Sequence, residues 1–352
     1  MHKIGAELLW ESKKGRVLLD VRTPAEYERG HIPDALSMPL FDNAERAEIG
    51  TLYKRVSPRE AFLRGLEFVG PKMANIVRQT ELLVPSKKLL IHCWRGGQRS
   101  ASVAWLLSNA GFDVQLLQGG YKAYRRSIHA AFDKAIDSMV VLGGLTGSGK
   151  TEVLREIKAA GEQIIDLEKI ACHKGSSFGA LGEKSQPTVE QFENDLYEVI
   201  RLLDPNRAIW VENESRSIGR VYLPEGLWHS MKKAPLVQLV LPFEKRLDVL
   251  VASYANYPPG QLQEAFERIQ KRLGGQHLKA ALEALQEQDF RTAAQIALRY
   301  YDKSYRYFVE RSQVDQLISF PVEEHQPRQT AMALIDLWRE QNFTNSTNSN
   351  HL

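Results

Sequence analysis

Cysteine is nearly absent: the 352 residues hold two, Cys93 and Cys172. Two cysteines build no disulfide framework, so the chain is not a bridge-stapled secreted scaffold. A reducing, cytoplasmic setting is the expectation, in which a cysteine in a special environment is chemical rather than structural. Long apolar runs are missing too. No stretch of about 18 uninterrupted apolar residues occurs, so no transmembrane helix is expected. The opening Met1-His2-Lys3-Ile4-Gly5-Ala6-Glu7 lacks the charged-then-apolar order of a signal peptide. The composition is unbiased, at 43% hydrophobic and 25% charged, which excludes a wholly disordered chain, a collagen-like chain and a coiled-coil rod. The length sets an expectation of about two domains.

Charge is uneven along the chain. Residues 1–136 carry 21 Lys and Arg against 14 Asp and Glu, a net of +7, while the remainder carries 25 against 29, a net of −4. A basic half suits a polyanionic partner; a solvated basic face is the plainer alternative.

The pattern of elements is that of two successive α/β domains. Arg16–Val21, Lys88–Cys93 and Val114–Leu117 read as strands, with helical periods around Glu60–Leu83 and Ser100–Asn109 between them. Strands separated by helices imply a parallel sheet covered on both faces. Gly119-Gly120 interrupts the pattern, and an amphipathic stretch, Tyr121–Asp137, leads to a second set of strands at Ser138–Leu142, Gln163–Leu167, Ala208–Glu212 and Leu236–Leu241. Residues 243–311 read as consecutive helices, with turns at Gly274-Gly275 and near Gln288-Asp289. The expected domains are residues 1–135 and 136–341. Residues 342–352, polar and low in complexity, are expected to form a disordered tail.

Gly144-Leu145-Thr146-Gly147-Ser148-Gly149-Lys150-Thr151 matches the phosphate-loop pattern in full. It follows a buried strand and precedes a helical stretch, the context the pattern requires. Its glycines let backbone N–H groups turn inward around phosphate oxygens, Lys150 adds a point charge, and the Thr151 hydroxyl suits magnesium. Glu212, at a strand end, is a candidate near that metal, although a surface acid is the plainer role. Asp166 ends another strand. The loop beyond it, with His173, Ser176 and Ser177, lies where an α/β sheet contacts its substrate. No second cysteine lies near Cys172, so no metal pair is expected there, and Cys172 reads as a small buried residue.

His92-Cys93-Trp94-Arg95-Gly96-Gly97-Gln98-Arg99-Ser100 forms a second chemical motif. A strand ends at Cys93 and a helix starts near Gln98. Backbone N–H groups and the cations Arg95 and Arg99 all favour a thiolate, so the thiol is expected to be acidic and reactive rather than inert.

Asp20-Val21-Arg22-Thr23-Pro24-Ala25-Glu26-Tyr27 followed by Gly30-His31-Ile32-Pro33-Asp34-Ala35 resembles the opening motif of rhodanese domains. That family's nucleophile then falls on Cys93, and Asp20 with Arg22 resembles its structural pair. The loop departs from the common rhodanese loop, because cysteine, five residues and arginine is also the cysteine-phosphatase spacing. A roomier loop implies a phosphate-bearing or larger chalcogen donor. The order of the two motifs is more specific than either. The chain resembles the tRNA 2-selenouridine synthase family up to about residue 340, through Asp20–Ala35, His92–Ser100, Leu116–Lys122, Gly144–Thr151 and His173–Gly179.

The resemblance implies an α/β fold, with a rhodanese-like domain followed by a P-loop domain with a helical C-terminal part. It implies a transferase that alkylates the sulfur of wobble 2-thiouridine with geranyl diphosphate and then replaces the geranylthio group with selenium from selenophosphate. Both are co-substrates, and no tightly bound cofactor is expected beyond Mg2+. The anticodon arm of tRNA is the expected partner, lying across the junction of the domains. Lys122, Arg125 and Arg126 are candidate contacts, with Arg299, Lys303 and Arg306 on a helix whose Tyr301, Tyr305 and Phe308 are read as core. Two other classes stay open. One is a cysteine-dependent phosphatase or sulfurtransferase fused to a nucleotide-binding, kinase-like domain. The other is a non-catalytic RNA-binding module, against which the intact Cys93 and Lys150 argue.

Overall fold

A computed structural model of the chain describes residues 2–176, 178–254, 256–309 and 316–348; the side chains of Tyr254 and of residues 304–309 and 341–348 lie outside that description. The chain divides into two compact units. The first is Met1–Phe132 with Glu193–Glu198, and the second is Asp133–Phe192 with Val199–Leu352.

In the first unit, β1 (His2–Ile4), β2 (Val17–Asp20), β3 (Leu36–Ser37), β4 (Lys88–His92) and β5 (Asp113–Leu117) form one sheet in the order β1-β5-β4-β2-β3. Every pairing is parallel. The central strands are apolar on both faces, as a sheet covered by helices requires: Leu89, Leu90 and Ile91 are each fully buried. Helix Gln98–Asn109 turns Val103, Ala104 and Leu107 into the core at helical spacing. Leu19, Ile91 and Leu116 meet them there. The expected helical stretch around residues 60–83 is two helices, Pro58–Val69 and Met73–Leu83, separated by a 3₁₀ turn at Gly70–Lys72. Pro71 explains the break, since it brings no backbone N–H to continue the ladder.

In the second unit, β6 (Met139–Gly144), β7 (Gln163–Ile165), β8 (Ile209–Glu212), β11 (Leu236–Val240) and β12 (Leu317–Pro321) form a parallel sheet in the order β12-β11-β6-β8-β7. The short strands β9 (Ser217–Ile218) and β10 (Val221–Tyr222) pair antiparallel outside it. All six residues of β6 are buried. Val140 and Leu142 pack with Val153 and Ile157 of helix Lys150–Ala159 and with Leu334 and Ile335 of helix Pro327–Asn348. The helices between β11 and β12 build a separate core from Leu247, Phe266, Ala281 and Leu298, which Phe178 of the loop after helix Leu167–Ala171 joins.

Five strands escaped the periodicity. β3, β9 and β10 have two residues each and β1 has three, too short to show a period of two. β12 alternates half-buried and exposed residues at the sheet edge. The last helix reaches Asn348, through residues 342–348 of the expected disordered tail. Once a helix is nucleated by packed residues such as Leu334, each further residue adds one hydrogen bond, so poor helix formers can extend it.

Candidate active site

The first unit places Cys93 directly after β4, at the carboxyl end of its parallel sheet. The side chain is buried, and its Sγ lies 3.2 Å from Ser100 Oγ at the start of helix Gln98–Asn109. The loop is fixed from the far side by helix Gly120–Phe132. Tyr121 N–H donates to Cys93 O and Lys122 N–H to Trp94 O, both at 2.9 Å. Gly120 is required here: its φ is +58°, and a Cβ would stand 2.2 Å from Cys93 O. This contact explains why the Leu116–Lys122 stretch accompanies the cysteine motif.

The two loop arginines have different settings. Arg95 is exposed. Arg99 is held by Glu26, to whose carboxylate it donates at 2.5 and 3.1 Å. Glu26 also accepts from Thr23 N–H at 3.0 Å, closing the capping box of helix Pro24–Arg29. Behind the thiol, Asp20 and Arg22 form a fully buried pair at 2.6 Å. Arg22 adds a donation to Gly30 O at 2.7 Å, and its guanidinium lies 3.8 Å from the Tyr121 ring centroid. His92 is fully buried, 3.7 Å from Asp20. Burial pushes its pKa down to about 4 against the opposing pull of the Asp20 charge.

The second unit places the phosphate loop after β6, the middle strand of its sheet. Gly144 ends the strand and Gly149, at φ +77°, caps helix Lys150–Ala159. Ser148 Oγ is buried without a hydrogen-bond partner among the described residues, a donor that a phosphate oxygen would satisfy. Thr146 O accepts from Arg246 at 3.1 Å. Gly147, at φ +79°, comes so close to Arg246 that a Cβ would stand 2.7 Å from its carbonyl.

Glu212 pairs in register with Leu142, which sets its carboxylate beside the loop. It lies 3.8 Å from Lys150 Nζ and accepts from Thr151 Oγ1 at 3.1 Å. Thr151 also lies 3.1 Å from Glu168, and Glu168, Glu212 and Glu214 bring carboxylate oxygens within 4.8 Å of one another. Burial, then repulsion from Glu212, pushes Glu168 up to about 9 and Glu214 up to about 8; burial also raises Glu212. An all-oxygen set of this kind suits a hard cation such as Mg2+.

Glu168 and Glu214 were missed in the sequence. The available signal was Glu212-Asn213-Glu214, two acids at the alternation of a strand end. Asp166 has a local role, because it caps helix Leu167–Ala171 by accepting from Lys169 N–H at 2.9 Å. His173 lies over Gly179 in the following loop, and Ser176 Oγ accepts from Phe178 N–H at 3.2 Å. The Glu214 carboxylate stands against Gly175, which links this loop to the glutamates. Ser177 lies outside the described residues, as do the side chains of Arg306, Tyr305 and Phe308. Cys172 corrects its expectation. It is half-buried rather than buried, because it ends helix Leu167–Ala171 in a left-handed conformation. Lys122 and Arg126 are exposed. Arg125 is not a free cation: it binds Asn194 at 2.7 Å and pairs with Glu193, within the first unit. Arg299 and Lys303 are exposed, and Tyr301 packs on the helical core.

The model of the tRNA 2-selenouridine synthase AAA domain matches residues 137–329, and that of the rhodanese-like domain matches residues 6–127. Over 329 residues the chain is 36% identical to the tRNA 2-selenouridine synthase of Sulfurovum sp. (strain NBC37-1), which covers 84% of this chain and 89% of that one. It is 34% identical over 336 residues to the synthase of Cupriavidus pinatubonensis, covering 84% and 90%. The synthase of Cupriavidus necator is 35% identical over 340 residues, covering 89% and 90%. The chain belongs to the tRNA 2-selenouridine synthase family. The family is one of tRNA-modifying enzymes, and the expected rhodanese-like and P-loop α/β architecture is borne out.

Proposed function

We propose that the chain converts 2-thiouridine at the wobble position of tRNA to 2-selenouridine by S-geranylation followed by selenium transfer. The observation that carries this reading is one chain holding a thiol loop and a phosphate loop whose lysine, threonine and glutamates are already assembled, within a family whose members bear that name. In the first step the thiocarbonyl sulfur bonds to the allylic carbon of geranyl diphosphate as the carbon–oxygen bond breaks. Pyrophosphate leaves and the ring nitrogen loses its proton. The backbone of Gly144–Thr151, with Lys150, stabilises the charge developing on the leaving group. Thr151, Glu168, Glu212 and Glu214 would hold Mg2+, which adds positive charge at the diphosphate.

In the second step the selenium of selenophosphate bonds to the ring carbon as the carbon–sulfur bond breaks and the geranylthiolate departs with a proton; water then attacks phosphorus, breaks the phosphorus–selenium bond and releases phosphate. The Cys93 loop serves this step by holding the phosphate of selenophosphate, because selenide-level selenium would need a two-electron oxidant to be carried on sulfur. No selenium–sulfur bond is therefore expected on Cys93, which intact-protein mass spectrometry reads directly. The chemistry belongs in the cytoplasm, where tRNA and both donors meet, and no described helix is long and apolar enough to cross a membrane.

Nucleoside mass spectrometry of tRNA from a strain deleted for this chain tests the reading. Loss of 2-selenouridine and of its geranylated precursor is expected; unchanged levels of both would overturn it. A phosphatase paired with a kinase-like domain would instead release inorganic phosphate from aryl phosphates.

A further inference from the structure

Beside the phosphate loop the second unit contains a cavity of about 330 Å³, lined by Phe243, Arg299, Asp302 and Lys303. Three of these residues come from one helix, Phe290–Val309, and Phe243 opens the helix Phe243–Tyr254. Arg299 and Lys303 stand one turn apart on the same face. Both are exposed, and neither has an ion-pair or hydrogen-bond partner among the described residues. Asp302 is buried, and its two oxygens accept from Arg246 at 2.8 and 2.7 Å. Its charge is therefore spent, and the uncompensated charge at the cavity is that of the two cations. The Arg246 guanidinium also donates to Thr146 O of the phosphate loop at 3.1 Å. One arginine thus ties the cavity wall to the loop.

We propose that this cavity is a single-nucleotide subsite for the RNA substrate, with Phe243 against a base or ribose and Arg299 and Lys303 on the flanking phosphates. The inference rests on the reading of the chain as a tRNA-modifying enzyme and names where the second unit holds the nucleic acid. Phe243 is half-buried, with the Arg246 guanidinium 5.5 Å from its ring centroid, and an aromatic ring partly open beside exposed cations is a composition that binds single-stranded RNA, where stacking and phosphate contacts act together. The volume is at the lower end of the range for small-ligand sites, about 300–1,000 Å³, and suits one nucleotide rather than an extended chain. Charge complementarity selects the occupant, since two exposed cations, unpaired among the described residues, over a neutralised carboxylate attract phosphate. Arg246 and Asp302 act as positioning residues that keep the subsite and the phosphate loop in one register.

The test uses the full chain with Arg299→Ala and Lys303→Ala combined, and separately Phe243→Leu. Both exposed cations can be replaced without disturbing the core. A fluorescent anticodon stem-loop containing 2-thiouridine is titrated by anisotropy at several salt concentrations, and S-geranylation of the same RNA is followed by mass spectrometry. The double variant is expected to bind the RNA at least about tenfold more weakly, with a log–log salt slope lower by up to about two. Its Michaelis constant for RNA should rise while that for geranyl diphosphate holds. Phe243→Leu is expected to weaken RNA binding with the salt slope unchanged, because it removes stacking and no charge. Unchanged RNA affinity in both variants would overturn the subsite. So would a rise confined to the geranyl diphosphate constant, which would assign the cavity to the diphosphate. RNA binding is read apart from turnover: wild-type chain that binds the stem-loop but transfers no geranyl group removes the functional reading, not the subsite.

Discussion

In the proposed reaction Cys93 and Lys150 divide the chemistry between them, and each has its own test. Cys93→Ser is expected to abolish 2-selenouridine formation while S-geranylation continues, since in that route the Cys93 loop serves only the second step. Accumulation of the geranylated nucleoside, read by mass spectrometry, checks it; undiminished selenium incorporation by the purified variant would remove Cys93 from the step. Lys150→Ala deletes the cation of the phosphate loop. Loss of one charge-assisted contact costs about 1.5–3 kcal/mol, a roughly tenfold to 150-fold loss of geranyl diphosphate affinity. Calorimetric titration with geranyl diphosphate reads that loss. Normal affinity would mean that the loop has another ligand, with ATP and GTP the next to titrate. Both residues were legible in the sequence because each sits in a contiguous motif. Glu168 was not: from helix Leu167–Ala171 it reaches Thr151 and Glu212 only once separate elements fold together, and no spacing in the chain encodes that meeting, whereas the one signal for Glu214 was its place two residues after Glu212.

At the scale of elements, the same argument separates what periodicity shows from what it hides. β2, β4, β5, β6 and β8 are apolar runs and read clearly, whereas the edge strands β1, β3 and β12 are short or half-exposed and gain their structure from a neighbour. The ends of β2 and β4 carry a buried polar set that no apolar pattern reveals: Asp20, Arg22 and His92. His92 gives this set a pH signature. Its pKa falls from about 6.5 in the unfolded chain to about 4 in the fold, through burial. A depressed folded value means that the unfolded state binds the extra proton as the medium turns acid. The contribution of His92 to stability is therefore full above about pH 6.5 and is lost as pH falls toward 4, with a slope of up to about 1.4 kcal/mol per pH unit. Thermal melts of the full chain between these limits read the slope, and His92→Phe should flatten it. An identical acid dependence in the variant would assign the loss to other groups.

For the whole molecule, the proposed route sets the constraint, because its intermediate is covalently attached to the RNA. One tRNA must present the same base to a phosphate loop and to a thiol loop carried by separate compact units. Affinity for the RNA body, rather than for one base, keeps the intermediate from escaping between steps, and phosphate contacts supply affinity of that kind. The net +7 of residues 1–136 is the proposed electrostatic source. The pairing of individual cations limits which of them could deliver it. Arg125 is paired with Glu193, so its charge is cancelled, while Lys122 and Arg126 remain exposed on the same helix, Gly120–Phe132. Replacing Lys122 and Arg126 together by alanine should therefore weaken every substrate tRNA by a similar factor and lower the log–log salt slope by up to about two. Adding Arg125→Ala should not lower the slope further, because a cation already neutralised releases no counterions on binding. Filter-binding isotherms for two substrate tRNAs at several salt concentrations separate the cases. A slope unchanged by the double replacement would make this helix only a solvated face and leave Arg299 and Lys303 as the principal phosphate contacts.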